Sequence, residues 1–211
     1  MFDLIVDTSR TGARMGIFGE KFSEEIFETN ARGESLLNVL ENLLKKADVS
    51  LENVSRVLVL RGPGSFTGLR TGIAFCEGLC FTGKRKLFGV STLAALTLYG
   101  SKESTAVILR ARSGYWYFRD SANESSFFET EEHFWNTEKV QQCLTNTKAK
   151  NVVVDSFAIA EIAFQPFFSE GKLKTILESE QGLLPFRTAF EWESPSLVQE
   201  ANYIQPSYAE Q

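Results

Sequence analysis

With 211 residues, 43% hydrophobic and 23% charged, the chain has the makeup of an ordinary globular protein with room for one large domain or two small ones. Its net charge of −5, from 22 Lys+Arg against 27 Asp+Glu, gives no general attraction to a phosphate backbone, so a stand-alone nucleic-acid binder working by counterion release is disfavoured. Three cysteines without a C-x-x-C argue against a disulfide framework or a zinc ribbon, and a single histidine, His133, leaves little for metal or triad chemistry.

The opening M-F-D-L-I-V-D-T-S has no basic leader and a short apolar run at 4–6, which predicts neither signal peptide nor membrane anchor and a cytoplasmic location. Taken in chain order, apolar runs at 4–6, 15–18 and 22–27, separated by polar turns at 9–14 and 19–21, predict three antiparallel strands. Residues 34–47 carry Leu36, Leu37, Val39, Leu40, Leu43, Leu44 and Ala47, which at about 100° per residue cover roughly 160° of one helix. A buried strand is expected over 57–60, a helix over 65–81, a short strand over 86–90, and a helix over 91–99 capped by Ser91-Thr92. The second half repeats the order, with strands over 105–109, 115–119 and 125–128, a helix over 138–144 and a strand over 152–154. The duplication predicts an α/β protein of two halves with mixed sheets, 1–102 and 103–211, joined through the linker-like 100–104. Farther on, alternation over 172–176 suggests a strand, Pro185 suits the first turn of a helix, and Ser194-Pro195 would end it.

The most informative stretch is R-G-P-G-S-F-T-G-L-R-T-G, residues 61–72, which follows a buried strand and runs into a helix. Gly62, Gly64 and Gly68 would let backbone N–H groups approach an anion at the helix N-terminus, with Ser65 or Thr67 as cap; a tight turn without a ligand needs the same residues. A dinucleotide fingerprint fits poorly, because the spacing is G-x-G-x-x-x-G and no acidic residue ends the following strand. Residues 78–85, G-L-C-F-T-G-K-R, imitate a P-loop but place Arg85 where Mg²⁺ needs a hydroxyl, so Gly83 reads as a helix C-cap. Asp7-Thr8-Ser9, ending the first strand, could hold Mg²⁺ or phosphate or form an ordinary turn.

Gly68, Gly72, Cys76 and Cys80 recur every fourth residue, a stripe of small side chains that permits close helix packing. With the wide leucine arc it points either to two helices with apolar outer faces or to two helices buried by the chain's own sheet. His133 reads as a surface or rim residue. The many phenylalanines of the second half (Phe127, Phe128, Phe134, Phe157, Phe164, Phe167, Phe168) read as core filling, with a stacking site for RNA bases as the alternative.

Taken together, the strand ending in D-T-S, the Leu-rich helix near residue 40 and the 61–72 motif resemble the TsaB (YeaZ) family, and Tyr203-Ile204 is similar to its closing P-x-Y-L-R segment. The resemblance runs over nearly the whole chain and is weaker after Tyr117. That family belongs to the ASKHA group, so the resemblance implies tandem RNase H-like (actin-like ATPase) halves. It further implies a non-catalytic subunit needed for making N6-threonylcarbamoyladenosine in tRNA, paired as a heterodimer with a catalytic TsaD-like subunit and joined by a TsaE-like ATPase. On that reading this chain alone holds no catalytic residue, metal or cofactor; ATP and Mg²⁺ sit on the partner subunits, tRNA is met through the complex, and no membrane is involved. The implied partner interface lies on the first two helices, through Leu36, Leu37, Leu40, Leu44, Leu69, Arg70, Gly72, Ile73 and Cys76, with a homodimer as the state when the partner is absent. Asp7, Thr8, Ser9, Gly62, Gly64, Ser65, Thr67 and Gly68 would be a vestigial or interface nucleotide or anion site.

Three departures stand out: Arg32-Gly33-Glu34 where the family usually has H-S-E, residues 110–115 (R-A-R-S-G-Y) where it has D-A-R-R-G-E, and Glu77 for a common Lys. Active ASKHA phosphotransferases use two glycine-bearing phosphate loops, each with an acidic residue near the metal. Here the first is D-T-S-R-T, the second falls near 110–114 with no carboxylate, and Gly171 and Gly182 stand alone where a double glycine would hold adenosine. The expectation is a scaffold that has lost nucleotide chemistry. The competing readings are an active small-molecule kinase or ATPase of the same fold, marked by Mg-ATP binding that depends on Asp7, and a homodimeric binding module.

Overall fold

The computed structural model describes residues 1–31, 33–122, 130–169, 171, 173–191 and 193–204. The chain divides into two units, Met1–Ala95 with Gly182–Tyr203, and Leu96–Gln181 with Ile204. In the first, β1 (Phe2–Asp7), β2 (Ala13–Phe18) and β3 (Ser23–Glu28) form the expected antiparallel meander. Helix α1 (Ser35–Ala47) then crosses to β4 (Val54–Leu60), parallel to β1, and α2 (Phe66–Cys80) crosses to β5 (Lys86–Val90), parallel to β4. Parallel neighbours cannot be joined by a tight turn, which is why both long helices fall at these points. Alternation along the strands sends Leu4, Val6, Met15, Ile17, Val57 and Val59 into one core, under Leu36, Val39, Leu40 and Leu43 of α1 and Ile73, Cys76 and Cys80 of α2.

The second unit repeats the plan with β6 (Thr105–Arg112), β7 (Tyr115–Asp120), β8 (His133–Asn136), α4 (Thr137–Asn146) and β9 (Asn151–Val154). The short helices α5 (Ser156–Ala160) and α6 (Gln165–Ser169) lead to β10 (Lys174–Leu177). The sheets run β3-β2-β1-β4-β5 and β10-β9-β6-β7-β8, so counted within each unit the strand order is the same. This is the tandem mixed-sheet architecture expected from the sequence. The second core gathers Ala106, Ile108, Trp116 and Phe118 under Val140 and Leu144, with Phe164, Phe167 and Phe168 filling it as expected.

Three expectations change. The predicted strand over 125–128, with Phe127 and Phe128, lies outside the described residues, and β8 takes the third-strand position of the second sheet. The helix expected over 91–99 is the short α3 (Thr92–Leu96) followed by a 3₁₀ turn, Thr97–Tyr99, although Ser91 Oγ caps it by accepting from Ala94 N at 3.3 Å. The largest difference concerns the boundary at 102/103, because Gly182–Tyr203 returns to the first unit. Leu183 N donates to the Glu25 carboxylate at 2.9 Å, Ser196 N to Leu87 O at 2.9 Å and Asn202 N to Arg61 O at 2.7 Å. Within this return, Leu184–Glu191 is a 3₁₀ helix with Pro185 in its first turn, and Phe190 meets Phe88 of β5 edge to face at 5.0 Å. Among the described residues no helix is long and apolar enough to cross a membrane.

Candidate functional site

β1 ends in the buried turn Asp7-Thr8-Ser9, and the segment after β4 folds over that turn. The Asp7 carboxylate is committed inside it: Oδ1 accepts from Ser9 N at 2.9 Å and Ser9 Oγ at 2.6 Å, while Oδ2 pairs with Arg10 at 3.2 Å. Ser65 N donates to Ser9 O at 2.6 Å, and Thr8 Oγ1 donates to Gly68 O at 2.8 Å. Of the two candidate caps, Ser65 caps α2 by accepting from Gly68 N at 3.3 Å, whereas Thr67 is exposed. Gly62, at φ +103°, exchanges hydrogen bonds with Thr92, its N donating to Oγ1 at 3.1 Å and its O accepting from N at 2.7 Å. The fold thus sets Gly64, Ser65 and Gly68 against the Asp7-Thr8-Ser9 turn, while Gly62 lies against Thr92 and Leu69. The backbone donors of Ser65 and Gly68, which an anion at a helix N-terminus would meet, are spent on the chain's own oxygens.

The small-residue stripe has a different partner from the one its spacing suggests. A Cβ on Gly64, Gly68 or Gly72 would stand less than 3.0 Å from Ser9 O, Thr8 O and Thr8 Oγ1 respectively. The glycines therefore let α2 lie directly on the end of β1, and Cys76 and Cys80 farther along are packed into the core that the sheet shares with α1.

The interface residues divide as well. Leu36, Leu40, Leu69, Gly72, Ile73 and Cys76 are buried within the first unit, and Leu44 is half-buried against its core. That corrects the expectation for these side chains: the middle of the leucine arc faces the sheet, and α1 otherwise shows solvent Asn38, Glu41, Asn42, Lys45 and Lys46. Leu37, 51% exposed, and Arg70 do point outward. So does Phe66, 58% exposed, which Arg70 covers at 5.3 Å and whose ring meets that of Tyr203 at 5.2 Å with a tilt of 32°. Farther along α2, Ala74 and Gly78 are exposed, and Phe81 beyond its end is 78% exposed.

In the second unit, residues 110–114 carry no carboxylate of their own, yet one reaches them from another strand. Asp155, just past β9, accepts from Arg110 N at 2.7 Å through Oδ2 and caps α5 by accepting from Ala158 N at 2.8 Å. No spacing rule links residues 45 positions apart. Glu77, the departure on α2, accepts from Gln199 N at 2.9 Å and so pins the C-terminal return. A cavity of about 300 Å³, lined by Asp120, His133, Trp135, Lys139 and Cys143 among others, opens between β7, β8 and α4, with the His133 ring stacked on Trp135 at 3.8 Å. Among the described residues no group of three or more His, Cys, Asp or Glu is placed to hold a metal ion.

Residues 29–171 match the family model TsaD, tRNA N6-adenosine threonylcarbamoyltransferase. The chain is 25% identical over 155 residues to the tRNA threonylcarbamoyladenosine biosynthesis protein TsaB of Buchnera aphidicola subsp. Schizaphis graminum, covering 70% of each chain. It is 30% identical over 127 residues to the protein of that name from Escherichia coli, covering 56% of this chain and about half, 55%, of that relative. Its fold is similar to that of YeaZ from Pseudomonas aeruginosa, with a TM-score of 0.68 at 21% identity over 96% of this chain and 99% of that one.

Proposed function

Because this chain belongs to the TsaB (YeaZ) family, we propose that it serves tRNA threonylcarbamoyladenosine biosynthesis as a non-catalytic scaffold subunit that pairs with a TsaD-like catalytic subunit. The observation that carries this reading is the commitment of Asp7. A phosphotransferase of this architecture needs a carboxylate able to reach metal-bound nucleotide, whereas here both Asp7 oxygens are held by Ser9 and Arg10 inside a turn that α2 closes over. Freeing that carboxylate costs an ion pair and two hydrogen bonds in a buried site. ATP and Mg²⁺ then belong to the partner subunits, a TsaE-like ATPase among them, and tRNA is met in the cytoplasmic complex.

The face offered to the catalytic partner is the outward line of α2, with Phe66, Arg70, Ala74 and Phe81, extended by Leu37 of α1. Exposed aromatic residues beside an arginine are the usual anchors of a protein interface, and the small Ala74 and Gly78 allow a partner helix close approach. Without the partner the same face would pair with a second copy.

The test is co-expression with the TsaD-like subunit of the same genome, followed by size measurement and calorimetry. A one-to-one heterodimer, no Mg-ATP binding by the isolated chain, and weaker pairing in Phe66→Asp are the expected results. Mg-ATP binding by the chain alone, lost in Asp7→Ala, would instead establish a working phosphate site.

A further inference from the structure

At one end of the second sheet, two arginines are laid on aromatic rings, of which Phe157 and Tyr115 are exposed and Phe134, like Arg112 itself, is half-buried. Arg110 is exposed, and its guanidinium sits 4.4 Å over the ring of Phe157, which is 53% exposed. Arg112 sits 4.6 Å over Tyr115 and 5.3 Å over Phe134, and those two rings are stacked at 4.9 Å with 8° between their planes. In a regular strand the side chains of Arg110 and Arg112 would share a face. The register shift between them changes this, because Arg110 pairs with Trp116 while Arg112 pairs with Tyr115. Trp116 belongs to the core beneath α4 and α5, so Arg110 and Phe157 occupy that side, and Arg112, Tyr115 and Phe134 occupy the reverse side. The main chain at Arg110 is held there by Asp155, whose Oδ2 accepts from its N–H at 2.7 Å.

We propose that this sheet end binds single-stranded RNA, with one base stacking at the Arg110–Phe157 layer, another at the Arg112–Tyr115–Phe134 layer, and the guanidinium groups pairing with the phosphates between them. Rings and guanidinium planes are the stacking surfaces that proteins present to unpaired bases, and the bases of a duplex are not free to use them. Two layers on opposite sides of one strand suit successive nucleotides of a strand better than a lone nucleotide, which can occupy one layer at a time. The net charge of −5 adds no attraction over the rest of the surface, so affinity arises locally and is modest. The choice of RNA over DNA rests on the scaffold reading above; the stacking geometry does not.

The experiment titrates the full chain with a fluorescent single-stranded RNA octamer, a duplex RNA of the same length and ADP, across a range of salt. The octamer is expected to bind best, with affinity falling on a log–log salt slope of about −1.4 for two phosphate contacts on a single strand. Phe157→Ala and Arg110→Ala should each weaken octamer binding about tenfold, the size expected for one lost stack, at an unchanged thermal midpoint. Arg110→Lys should keep the salt slope while losing affinity. Equal binding of duplex or ADP, or unchanged octamer affinity in both alanine variants, overturns the proposal. Heterodimer formation by the same variants is measured alongside, and its retention separates a failure of this site from a failure of the scaffold reading.

Discussion

Gly72 and Thr8 set how closely α2 can lie on the end of β1, since a Cβ on Gly72 would stand less than 3.0 Å from Thr8 Oγ1, the same hydroxyl that donates to Gly68 O at 2.8 Å. That hydrogen bond joins residues 60 positions apart, one from each motif, and it closes the D-T-S turn against α2.

Gly72→Ala should therefore destabilise the protein in spite of alanine's better helix propensity. Overpacking and the displaced Thr8 hydroxyl cost about 2–3 kcal/mol, against about 1 kcal/mol gained in the helix. The net loss of about 1–2 kcal/mol corresponds to a fall of roughly 2–8 °C in thermal midpoint for a chain of this size. In a Thr8→Ala background the penalty should shrink, because the atom it collides with is gone; a double-mutant cycle that shows additivity would refute the contact.

Leu37→Glu and Leu40→Glu separate the partner face from the core. Leu37 is 51% exposed, so its substitution should leave the thermal midpoint nearly unchanged while weakening the heterodimer by tenfold or more. Leu40 is buried in the first core, and a carboxylate there should cost about 4 kcal/mol or prevent folding. Pairing by both variants with unchanged affinity would move the partner face elsewhere.

These two leucines also mark how far the sequence could be read. β5 occupies the predicted 86–90, and the 61–72 motif and D-T-S turn meet as their residue types suggest, because alternation and turn chemistry are local properties. The leucine arc is local too, but its direction is not. Leu36, Leu40, Leu43 and Ala47 at its centre are covered by the sheet, and the overhang falls on the edge made by Leu37 and Leu44, which follows from where β2 and β3 lie. β8 escaped because its apolar content is Phe134-Trp135, too short to set a period. The return of Gly182–Tyr203 is tertiary throughout, resting on contacts such as Leu183 with Glu25, which are 158 positions apart and leave no pattern along the chain.

Asp3 is the anchor of that return. Its carboxylate accepts from Arg56 Nε at 2.7 Å and Nη2 at 2.8 Å, and from Arg187 Nε at 3.0 Å, while Arg187 Nη1 also donates to Gly19 O at 3.0 Å. Arg56 in turn sits 4.4 Å over Phe190. Asp3→Asn keeps the shape but cannot serve two guanidinium groups. With both arginines partly solvated, the loss should be about 2 kcal/mol, well below that for a fully buried pair. The variant should also expose the Leu184–Glu191 segment to trypsin at Arg187, while Arg187→Ala should loosen the segment with β1–β4 pairing intact. Equal protease resistance of wild type and Asp3→Asn would show that apolar packing alone holds the return.

The cysteines supply a stability signature at alkaline pH. Burial pushes the Cys80 thiol from an ordinary 9.0 up to about 11, with Arg85 opposing the shift, and pushes Cys76 up as well. A raised thiol pKa means that the folded chain keeps a proton the unfolded chain has already released. Between pH 9 and 11 the unfolded state binds fewer protons, so stability falls as pH rises, by up to about 1.4 kcal/mol per pH unit for each such thiol. Below pH 8 both states are protonated and the contribution is flat. Cys80→Ala should therefore lower the midpoint somewhat at pH 7, through lost packing, yet flatten the decline between pH 9 and 11 relative to wild type. Denaturant melts at half-unit pH steps give both curves, and parallel alkaline limbs would place the Cys80 thiol in contact with solvent.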